Sequence, residues 1–342
     1  MRLALVSDAW RPQINGVVTT LSKTCHILRE SGHDVETITP DRFNTWPCPT
    51  YPEIRLAMGC GRRLSRLLDE FRPEAMHIAT EGPLGLGART YCRKRKLPYT
   101  TSFHTRFPEY VNMRFRVPLA WSYSLLRWFH GDSHRVMVAT PSLMEELTGR
   151  GFQNMVLWSR GVDTETFRPG PKTFIQDVRP VFLYAGRVAV EKSIEDFLAA
   201  DLPGTKYVVG DGPQRILLEQ KYPGVRFVGY KTGAELASYI AASDVFVFPS
   251  RTDTFGLVVL EALACGVPVA AYPVQGPRDV LTDPKVARLS HDLSEAATEA
   301  LQLDPDDCRQ FALKFTWERC AKQFFGNLAP ISGTVGMMGS SA

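Results

Sequence analysis

The chain has 342 residues, of which 44% are hydrophobic and 22% are charged, as in a water-soluble protein large enough for two domains. Its seven cysteines are scattered singly, and this spacing argues against a disulfide framework and against a zinc site. No uncharged run of about 18 residues occurs, and no charged leader precedes the first apolar segment, so we expect neither a membrane span nor export. The isolated cysteines indicate a reducing, cytoplasmic compartment.

Positive charge is concentrated in the first half of the chain. Residues 1–165 contain 22 Lys and Arg against 16 Asp and Glu, whereas the remainder contains 18 against 20. This asymmetry predicts that the first half meets an anionic surface. Nucleic acid is a poor candidate for that partner, because the pI of 8.6 is modest and no nucleic-acid-binding motif occurs.

Short apolar segments alternate with helical segments along the first half of the chain. The segments predicted to be strands are residues 3–6, 35–39, 75–78, 99–102, 136–139 and 155–158. A helix is predicted to begin at Gly16 and to end near residue 31, ahead of Gly32. Strands that alternate with helices are typical of a doubly wound parallel sheet in an α/β domain.

The second half repeats this alternation after a Pro- and Gly-rich stretch at residues 167–171, which we interpret as a linker. The strands predicted here are residues 181–185, 206–209, 225–228, 245–248 and 267–271. Two such sheets in tandem place a ligand cleft between their carboxyl edges. The predicted parts are a first domain at 1–168, a second at 169–310, a helix at 311–328 that packs back on the first domain, and a disordered tail at 329–342.

The stretch 249–264 carries the strongest signal of a binding site. A polar turn and then an apolar helix follow an apolar strand, which places free N–H groups at the carboxyl edge of the sheet. Asp253 lies in the turn and Glu261 lies about one and a half turns into the helix, so both can face one cavity. In the simplest alternative, Asp253 is an N-cap and Glu261 is a solvated helix residue, although an unpaired carboxylate in so apolar a helix is costly.

Two loops of the first half supply further candidates. Gly16 opens a helix without a Cβ, so its N–H can approach a phosphate or a sugar closely, although an ordinary turn glycine fits the pattern as well. His104 follows a predicted strand in an apolar setting, where a histidine is either a satisfied structural residue or a functional one. Both residues lie at the edge where the cleft is predicted.

The second half adds two cationic side chains that can bind one anion together. Arg187 follows Gly186 at the end of a predicted strand, and Lys192 lies five residues later at a helix start, where a cation opposes the helix dipole unless an anion is bound. After the next strand, Gly210 and Asp211 form a tight turn, which can border a planar base or serve as a plain connection between strand and helix.

Several familiar catalytic motifs do not occur in the sequence. GxxxxGK[ST] and a GxGxxG that opens a helix after a strand are missing, which argues against a P-loop ATPase and against a nicotinamide dehydrogenase. GxSxG and HExxH are missing too. The Asp-Pro-Asp at residues 304–306 follows no strand and is interpreted as a helix cap, so no metal site is expected.

In combination these segments resemble family 4 of the retaining glycosyltransferases, which have the GT-B fold. The turn and helix at residues 250–262 resemble the family's E-x7-E signature, with Asp253 where most members have Glu. Further matches in the family's order are residues 15–17, 103–105, 161–163, 186–192, 210–212 and 315–319, the last of which resembles the terminal helix that returns to the first domain. The resemblance covers nearly the whole chain and implies two doubly wound Rossmann-like domains that face each other across a cleft.

The resemblance also implies a role for each candidate residue. Two of the implied catalytic residues act on the transferred sugar: His104 lies near it and Asp253 binds its hydroxyl groups. The other two, Arg187 and Lys192, bind the diphosphate. The implied nucleotide-sugar-binding residues are Gly16, Gly186, Gly210, Asp211, Phe255, Gly256, Leu257, Val258 and Glu261, the last of which binds the ribose. The anomeric configuration is retained, and neither a metal nor another cofactor is expected.

The form of the signature, Thr-Asp-Thr-Phe-Gly, is similar to that of the bacterial subgroup that glycosylates diacylglycerol. It implies a lipid acceptor, and we expect a UDP-sugar as the donor. Basic clusters at residues 62–66 and 93–96, and interleaved basic and aromatic residues between Tyr110 and His130, fit an anionic membrane surface. In the alternative interpretation, the basic residues form an ordinary solvated face and the aromatic residues belong to the core. We therefore expect a peripheral enzyme on the cytosolic face of the cell membrane.

Three other functions fit the same segments. The same donor chemistry with a soluble acceptor would make transfer independent of lipid vesicles. A nucleotide-sugar epimerase would change the donor without any acceptor. A non-catalytic binding protein would hold the nucleotide sugar without releasing the nucleotide.

Overall fold

The computed structural model describes residues 1–13, 15–48 and 51–331. The chain divides into two compact units. The first consists of Met1–His104, Val111–Ser159 and the residues from Cys320 onward, and the second consists of Thr105–Tyr110 and Arg160–Arg319. The chain therefore enters the second unit at residue 160, and the Pro- and Gly-rich stretch at 167–171 lies inside that unit.

The first unit contains a six-stranded parallel sheet. The described strands of this unit are, in chain order, β1 (Arg2–Val6), β2 (Asp34–Ile38), β3 (Thr45–Cys48), β4 (Tyr51–Ala57), β5 (Ala75–Ile78), β6 (Thr100–Phe103), β7 (Arg135–Val138) and β8 (Met155–Leu157). Strands β3 and β4 form a separate antiparallel pair outside the sheet. The order in the sheet is β2-β1-β5-β6-β7-β8. The helices are α1 (Gly16–Glu30), α2 (Gly61–Phe71), α3 (Pro83–Arg95), α4 (Phe107–Phe115), whose first residues belong to the second unit, α5 (Leu119–His130) and α6 (Pro141–Gly149).

The second unit contains another six-stranded parallel sheet. Its described strands are β9 (Val181–Ala185), β10 (Thr205–Val209), β11 (Arg226–Gly229), β12 (Val245–Phe248), β13 (Val269–Ala271) and β14 (Ala287–Leu289), in the sheet order β11-β10-β9-β12-β13-β14. The helices are α7 (Ile194–Ala199), α8 (Arg215–Lys221), α9 (Gly233–Ala242), α10 (Leu257–Ala264), α11 (Gln275–Val280), α12 (Leu293–Ala300), α13 (Pro305–Ala312) and α14 (Trp317–Asn327), which continues into the first unit.

The strands at the centre of each sheet are buried because both of their faces are covered. Every residue of β5, β9 and β12 is buried. This is the burial expected for parallel strands between two layers of helices. The two sheets confirm the predicted fold class, two doubly wound α/β domains.

The predicted strands are all present, with ends shifted by at most two residues. The antiparallel pair β3–β4 and the edge strand β14 were not predicted. Strands β3 and β14 have only four and three residues, and the seven-residue β4 contains Pro52, Glu53 and Arg55 and so lacks an apolar run. The predicted helix at 311–328 is instead two helices, α13 and α14. The break has a physical cause, since the Phe315 carbonyl accepts a hydrogen bond from the Val162 N–H and the Thr316 hydroxyl caps α14.

The end of the described chain is ordered further than predicted. Residues 329–331, which the prediction assigned to the disordered tail, lie beside β5, where the Ile331 N–H donates to the Glu74 carbonyl and Pro330 forms a bridge with Ala75. The rest of the predicted tail, 332–342, lies outside the described residues. Within the described ranges, no helix is both long enough and apolar enough to cross a bilayer.

Candidate active site

The strand order of the second unit reverses between β9 and β12, since β10 and β11 extend the sheet on one side and β13 and β14 on the other. In open parallel sheets, ligands bind outside the carboxyl ends of the strands at such a reversal. Two loops leave the sheet at this point. One follows β9 and contains Gly186 and Arg187, and the other follows β12 and runs over residues 249–256.

An ion pair joins the two loops. The Lys192 amine lies 2.5 Å from the Asp253 carboxylate, and the two side chains are only 22% and 19% exposed. Burial alone would lower the pKa of Lys192, but the Asp253 carboxylate and its neighbours outweigh this effect and hold that pKa above its ordinary value. The predicted cost of a cation at this helix start is therefore offset by a carboxylate. An incoming phosphate would compete with that carboxylate for the amine.

Hydrogen bonds and close packing fix both loops. The Thr252 hydroxyl donates to the Glu191 carbonyl at 2.9 Å, and the Tyr184 hydroxyl donates to the Arg187 carbonyl at 2.7 Å. A Cβ on Gly276, at the start of α11, would lie 2.3 Å from the Asp253 carbonyl oxygen, so only glycine fits there. The turn that carries Asp253 is thus held from two sides.

The helix α10 begins directly after the second loop. Gly256 precedes it with a φ of 81°, a left-handed conformation that favours glycine, and a Cβ there would lie 2.9 Å from the ring of Phe248. Among the residues that the structure describes, no side chain caps this helix end. Because the first N–H groups of a helix have no partner within it, those near Leu257 and Val258 can bind an anion. Phe255, two residues before α10, is buried.

Two buried polar atoms near Asp253 have no hydrogen bond within the described part of the chain. They are the Ser250 hydroxyl oxygen, which follows β12, and the side-chain carbonyl oxygen of Gln275, at the start of α11. Buried polar atoms in native proteins are usually hydrogen-bonded. A polar ligand bound at this edge would satisfy them.

Glu261 lies one helical turn beyond Leu257 on α10, and only part of its side chain is exposed. Burial and the nearby Asp163 carboxylate raise the pKa of Glu261 to about 7. A carboxylate in this apolar helix is thus costly, as the sequence predicted. Hydroxyl groups that donate hydrogen bonds to the charged form would lower that cost.

The loop that follows β10 packs against the loop that follows β9. A Cβ on Gly210 would lie 1.8 Å from the Gly186 carbonyl oxygen, and the Val188 N–H donates to the Asp211 carbonyl at 2.9 Å. The Asp211 carboxylate pairs with Arg215 at 3.0 Å and is largely exposed. Gly210 and Asp211 therefore shape the edge of the site through their backbones.

Gly16 and His104 lie in the first unit, at the carboxyl edge of its own sheet. Gly16 begins α1, as predicted, and the Asn15 side chain caps this helix by accepting from the Val18 N–H at 3.0 Å. His104 follows β6 and is buried, with its ring 5.5 Å from that of Trp158 in an edge-on arrangement.

Two positioning residues were not predicted. Asp8, directly after β1, accepts hydrogen bonds from the N–H groups of Leu84 and Gly85 at 2.9 and 3.2 Å, and so caps α3 from a distant part of the chain. Arg309 donates to the carbonyl oxygens of three residues on two segments near the site: Phe167, Ala264 and Thr164. The Ser7-Asp8 pair after a strand was a usable signal for Asp8, whereas nothing in the sequence around Arg309 marks its role.

The basic and aromatic residues of the first unit separate into two groups. The basic clusters at 62–66 and 93–96 are exposed, as are Phe115, Trp121 and Trp128. Tyr123 and Phe129 are instead core residues. The side chain of Arg114, which the prediction placed in this region, lies outside the described part of the chain.

Two family models match the chain: Glycosyltransferase Family 4 over residues 14–166 and Glycosyl transferases group 1 over residues 179–304. The GDP-mannose-dependent alpha-mannosyltransferase of Mycolicibacterium smegmatis is 33% identical to the chain over 82% of each protein. The alpha-monoglucosyldiacylglycerol synthase of Streptococcus pneumoniae is 27% identical over 90% of this chain and 79% of its own.

A solved structure supports the same grouping at the level of the fold. Sucrose-phosphate synthase of Thermosynechococcus elongatus matches with a TM-score of 0.73, at 20% identity, over 95% of this chain and 97% of its own. At that identity the likeness concerns the fold alone, and the fold is GT-B.

Proposed function

The chain belongs to family 4 of the glycosyltransferases and is a hexosyltransferase, and from this premise we propose that it transfers a sugar from a nucleoside-diphosphate sugar to a membrane lipid. The proposal includes retention of the anomeric configuration and independence of metal ions. The observation that carries it is the ion pair between Lys192 and Asp253, because its two charges match the two parts of such a donor.

In this proposal the cations bind the leaving group. Negative charge grows on the diphosphate as the bond between the sugar and its oxygen breaks. Lys192, Arg187 and the first N–H groups of α10 would stabilise that charge. Preorganised donors of this kind contribute about 3–4 kcal/mol each, or about a hundredfold or more in rate.

The carboxylates bind the two sugars. Asp253, released from Lys192 by the diphosphate, would accept hydrogen bonds from hydroxyl groups of the transferred sugar, with Ser250 and Gln275 beside it. Glu261 would accept hydrogen bonds from the ribose. By resemblance to the family, His104 contacts the transferred sugar and the Gly16 amide contacts the phosphate or sugar.

The proposed transfer occurs on one face of the sugar. The acceptor hydroxyl oxygen forms a bond to the anomeric carbon as the bond to the diphosphate oxygen breaks. The hydroxyl proton passes to that phosphate oxygen. Attack from the face that the diphosphate leaves retains the configuration and needs no protein nucleophile.

For the donor, the sequence and the comparisons point to different nucleotides. From the sequence we expected a UDP-sugar, whereas the Mycolicibacterium smegmatis relative is named for GDP-mannose. GDP-mannose is therefore the first donor to test and UDP-glucose the second.

For the acceptor we propose diacylglycerol or a closely related lipid, at the cytosolic face of the cell membrane. The Streptococcus pneumoniae relative, named as a diacylglycerol glucoside synthase, supports this class, as does the basic first unit. The enzyme would be peripheral on an anionic membrane.

The test is product formation. The purified chain is incubated with radiolabelled GDP-mannose or UDP-glucose and vesicles that contain diacylglycerol, and the lipid fraction is extracted. We expect a labelled glycolipid that an α-glycosidase cleaves and a β-glycosidase does not. Label on an added soluble sugar but not on lipid would favour the soluble acceptor, and conversion of the donor without any acceptor would favour an epimerase.

A further inference from the structure

The helix α5 exposes an apolar face that the described part of the first unit does not cover. Trp121, Leu125 and Trp128 are 74%, 61% and 50% exposed. Their spacing of four and three residues places them on one side of the helix, and these three residues are called the α5 face below. The residues of α5 that are buried in the core are Tyr123, Leu126, Phe129 and His130.

The α5 face is held by a rigid support. Arg89, a buried residue of α3, donates to the carbonyl oxygens of Trp128 and Phe129, both at 3.0 Å. Its guanidinium lies 4.0 Å from the centre of the Trp128 ring and pairs with Asp132, just beyond α5. The exposed apolar side chains are therefore presented by a fixed helix.

Positive charge is concentrated on the neighbouring helices. Residues 61–72 and 83–96 contain nine Lys and Arg against two Asp and Glu, whereas the net charge of the whole chain is +4. All nine cations except Arg89 are exposed. Asp69 of α2 accepts hydrogen bonds from Tyr91 and Arg95 of α3, so the helices form one surface. The groove between them is lined by Arg62, Arg66, Lys94 and Arg95.

We propose that α2, α3 and the α5 face together bind an anionic phospholipid bilayer, an inference that rests on the proposed lipid acceptor. Tryptophan favours the boundary between lipid headgroups and acyl chains, so Trp121 and Trp128 would enter that layer with Leu125 between them. The exposed cations of α2 and α3 bind the headgroups. Because α3 contacts α2 through Tyr91 and α5 through Arg89, one helix connects the charged part of the surface to the apolar part.

The same charge argues against a second copy of the chain as the occupant. A symmetric dimer buries the same patch on both copies. Such an interface would bring the eight exposed cations of one copy towards those of the other, and like charges repel. A membrane rich in anionic lipids complements them.

The experiment measures vesicle binding by flotation at physiological salt, with phosphatidylglycerol–phosphatidylcholine vesicles and with pure phosphatidylcholine vesicles. The apolar variant is W121S/L125S, which leaves Trp128 on Arg89. The charge variant is R62Q/R66Q/K94Q. The matched control is I216S/L217S, which removes two side chains that are 74% and 62% exposed on α8 of the second unit.

We expect the wild type to bind the anionic vesicles and to bind pure phosphatidylcholine weakly. Each cation contributes roughly fivefold, so the charge variant should lose about a hundredfold in affinity. The apolar variant should lose at least about tenfold, because two exposed side chains no longer enter the lipid layer. The control should bind within about twofold of the wild type.

Transfer to detergent-dispersed acceptor is measured in parallel and separates the two proposals. If the variants lose vesicle binding while the wild type shows no transfer, the surface is supported and the proposed function fails. If transfer proceeds but neither variant changes vesicle binding, the surface is refuted. The proposal would also be overturned if the wild type sediments as a dimer and does not bind vesicles, whereas W121S/L125S sediments as a monomer. That result would assign the α5 face to self-association.

Discussion

The Lys192 amine and the Asp253 carboxylate lie 2.5 Å apart although 61 residues separate them in the chain. They meet because β9 and β12, which precede their loops, are neighbours in the sheet, while β10 and β11 lie between them in sequence. The reversal of strand order therefore brings together an ammonium group and a carboxylate. In the proposed function these two groups bind the diphosphate and the hydroxyl groups of one nucleotide sugar.

Removal of the Lys192 amine should affect catalysis and stability separately. Lys192→Met should lower kcat by about a hundredfold or more, because the leaving diphosphate loses a preorganised cation. It should also destabilise the fold by about 1–3 kcal/mol, since Asp253 remains partly buried and unpaired.

The double variant K192M/D253N tests this explanation. It should recover most of the lost stability in urea unfolding but none of the activity. Lys285→Met, at an exposed lysine, should change neither quantity and serves as the control. A Lys192→Met enzyme with wild-type kcat would be incompatible with the assigned role.

Stability should depend on pH through Glu261. Its pKa rises from an ordinary 4.5 to about 7 on folding, so the folded state favours the protonated form. The stability that this proton contributes is complete below about pH 4.5 and is lost as the pH rises through 7. Glu261→Gln, which stays neutral, should therefore match the wild type near pH 4.5 and exceed it by about 2–3 kcal/mol at pH 8.

Urea unfolding at several pH values measures this difference. Glu219→Gln, at a half-exposed residue of α8, should show no comparable trend. Glu261→Gln should also bind nucleotide more weakly at pH 8, despite its greater stability. A stability difference that does not change with pH would refute the assignment.

The close approach of Gly276 to Asp253 should make this position intolerant of any side chain. In Gly276→Ala, the Cβ would lie 2.3 Å from the Asp253 carbonyl oxygen, so the turn must shift. We expect a loss of about 1–3 kcal/mol in stability and a raised KM for the donor. Gly149→Ala, where a Cβ meets nothing within 4 Å, should leave both unchanged. Equal behaviour of the two variants would show that the turn is not fixed by this contact.

Arg309 should act as a positioning residue for the segment that carries Asp163 and for the end of α10. A lysine cannot reach all three carbonyl oxygens that the guanidinium contacts, so Arg309→Lys should destabilise the fold by about 1–3 kcal/mol. If the segment places Glu261 correctly, nucleotide affinity should fall while kcat at saturation stays near the wild-type value. Arg319→Lys, at an exposed arginine, is the matched control. A fall in kcat alone would contradict the positioning role.

The fold was predictable because most of the parallel strands that are covered on both faces are runs of apolar residues, as β9 and β12 are. The antiparallel pair β3–β4 was not predicted, because Pro47 lies in β3 and Glu53 and Arg55 lie in β4. The break between α13 and α14 also escaped prediction, because it depends on a hydrogen bond from Val162, more than a hundred residues earlier in the chain.

The placement of a candidate residue at the carboxyl edge of the sheet was predictable where a loop follows a strand, as with Arg187 after β9 and Asp253 after β12. The pairing of Lys192 with Asp253 was not, because sequence alone does not tell which strands are neighbours. Arg309 contacts backbone groups far away in the chain, and such contacts leave no local pattern. Asp8 was missed although its position directly after β1 was a usable signal. The exposed α5 face was only partly anticipated, since Trp121 and the buried Tyr123 look alike in sequence.

Release of nucleoside diphosphate in EDTA, measured with and without diacylglycerol vesicles, tests directly whether the chain is a metal-independent lipid glycosyltransferase. With GDP-mannose or UDP-glucose as the donor, we expect release by the wild type that requires the vesicles, survives EDTA and falls to background in Glu261→Ala. Release that is indifferent to vesicles, or that EDTA abolishes, would contradict this expectation.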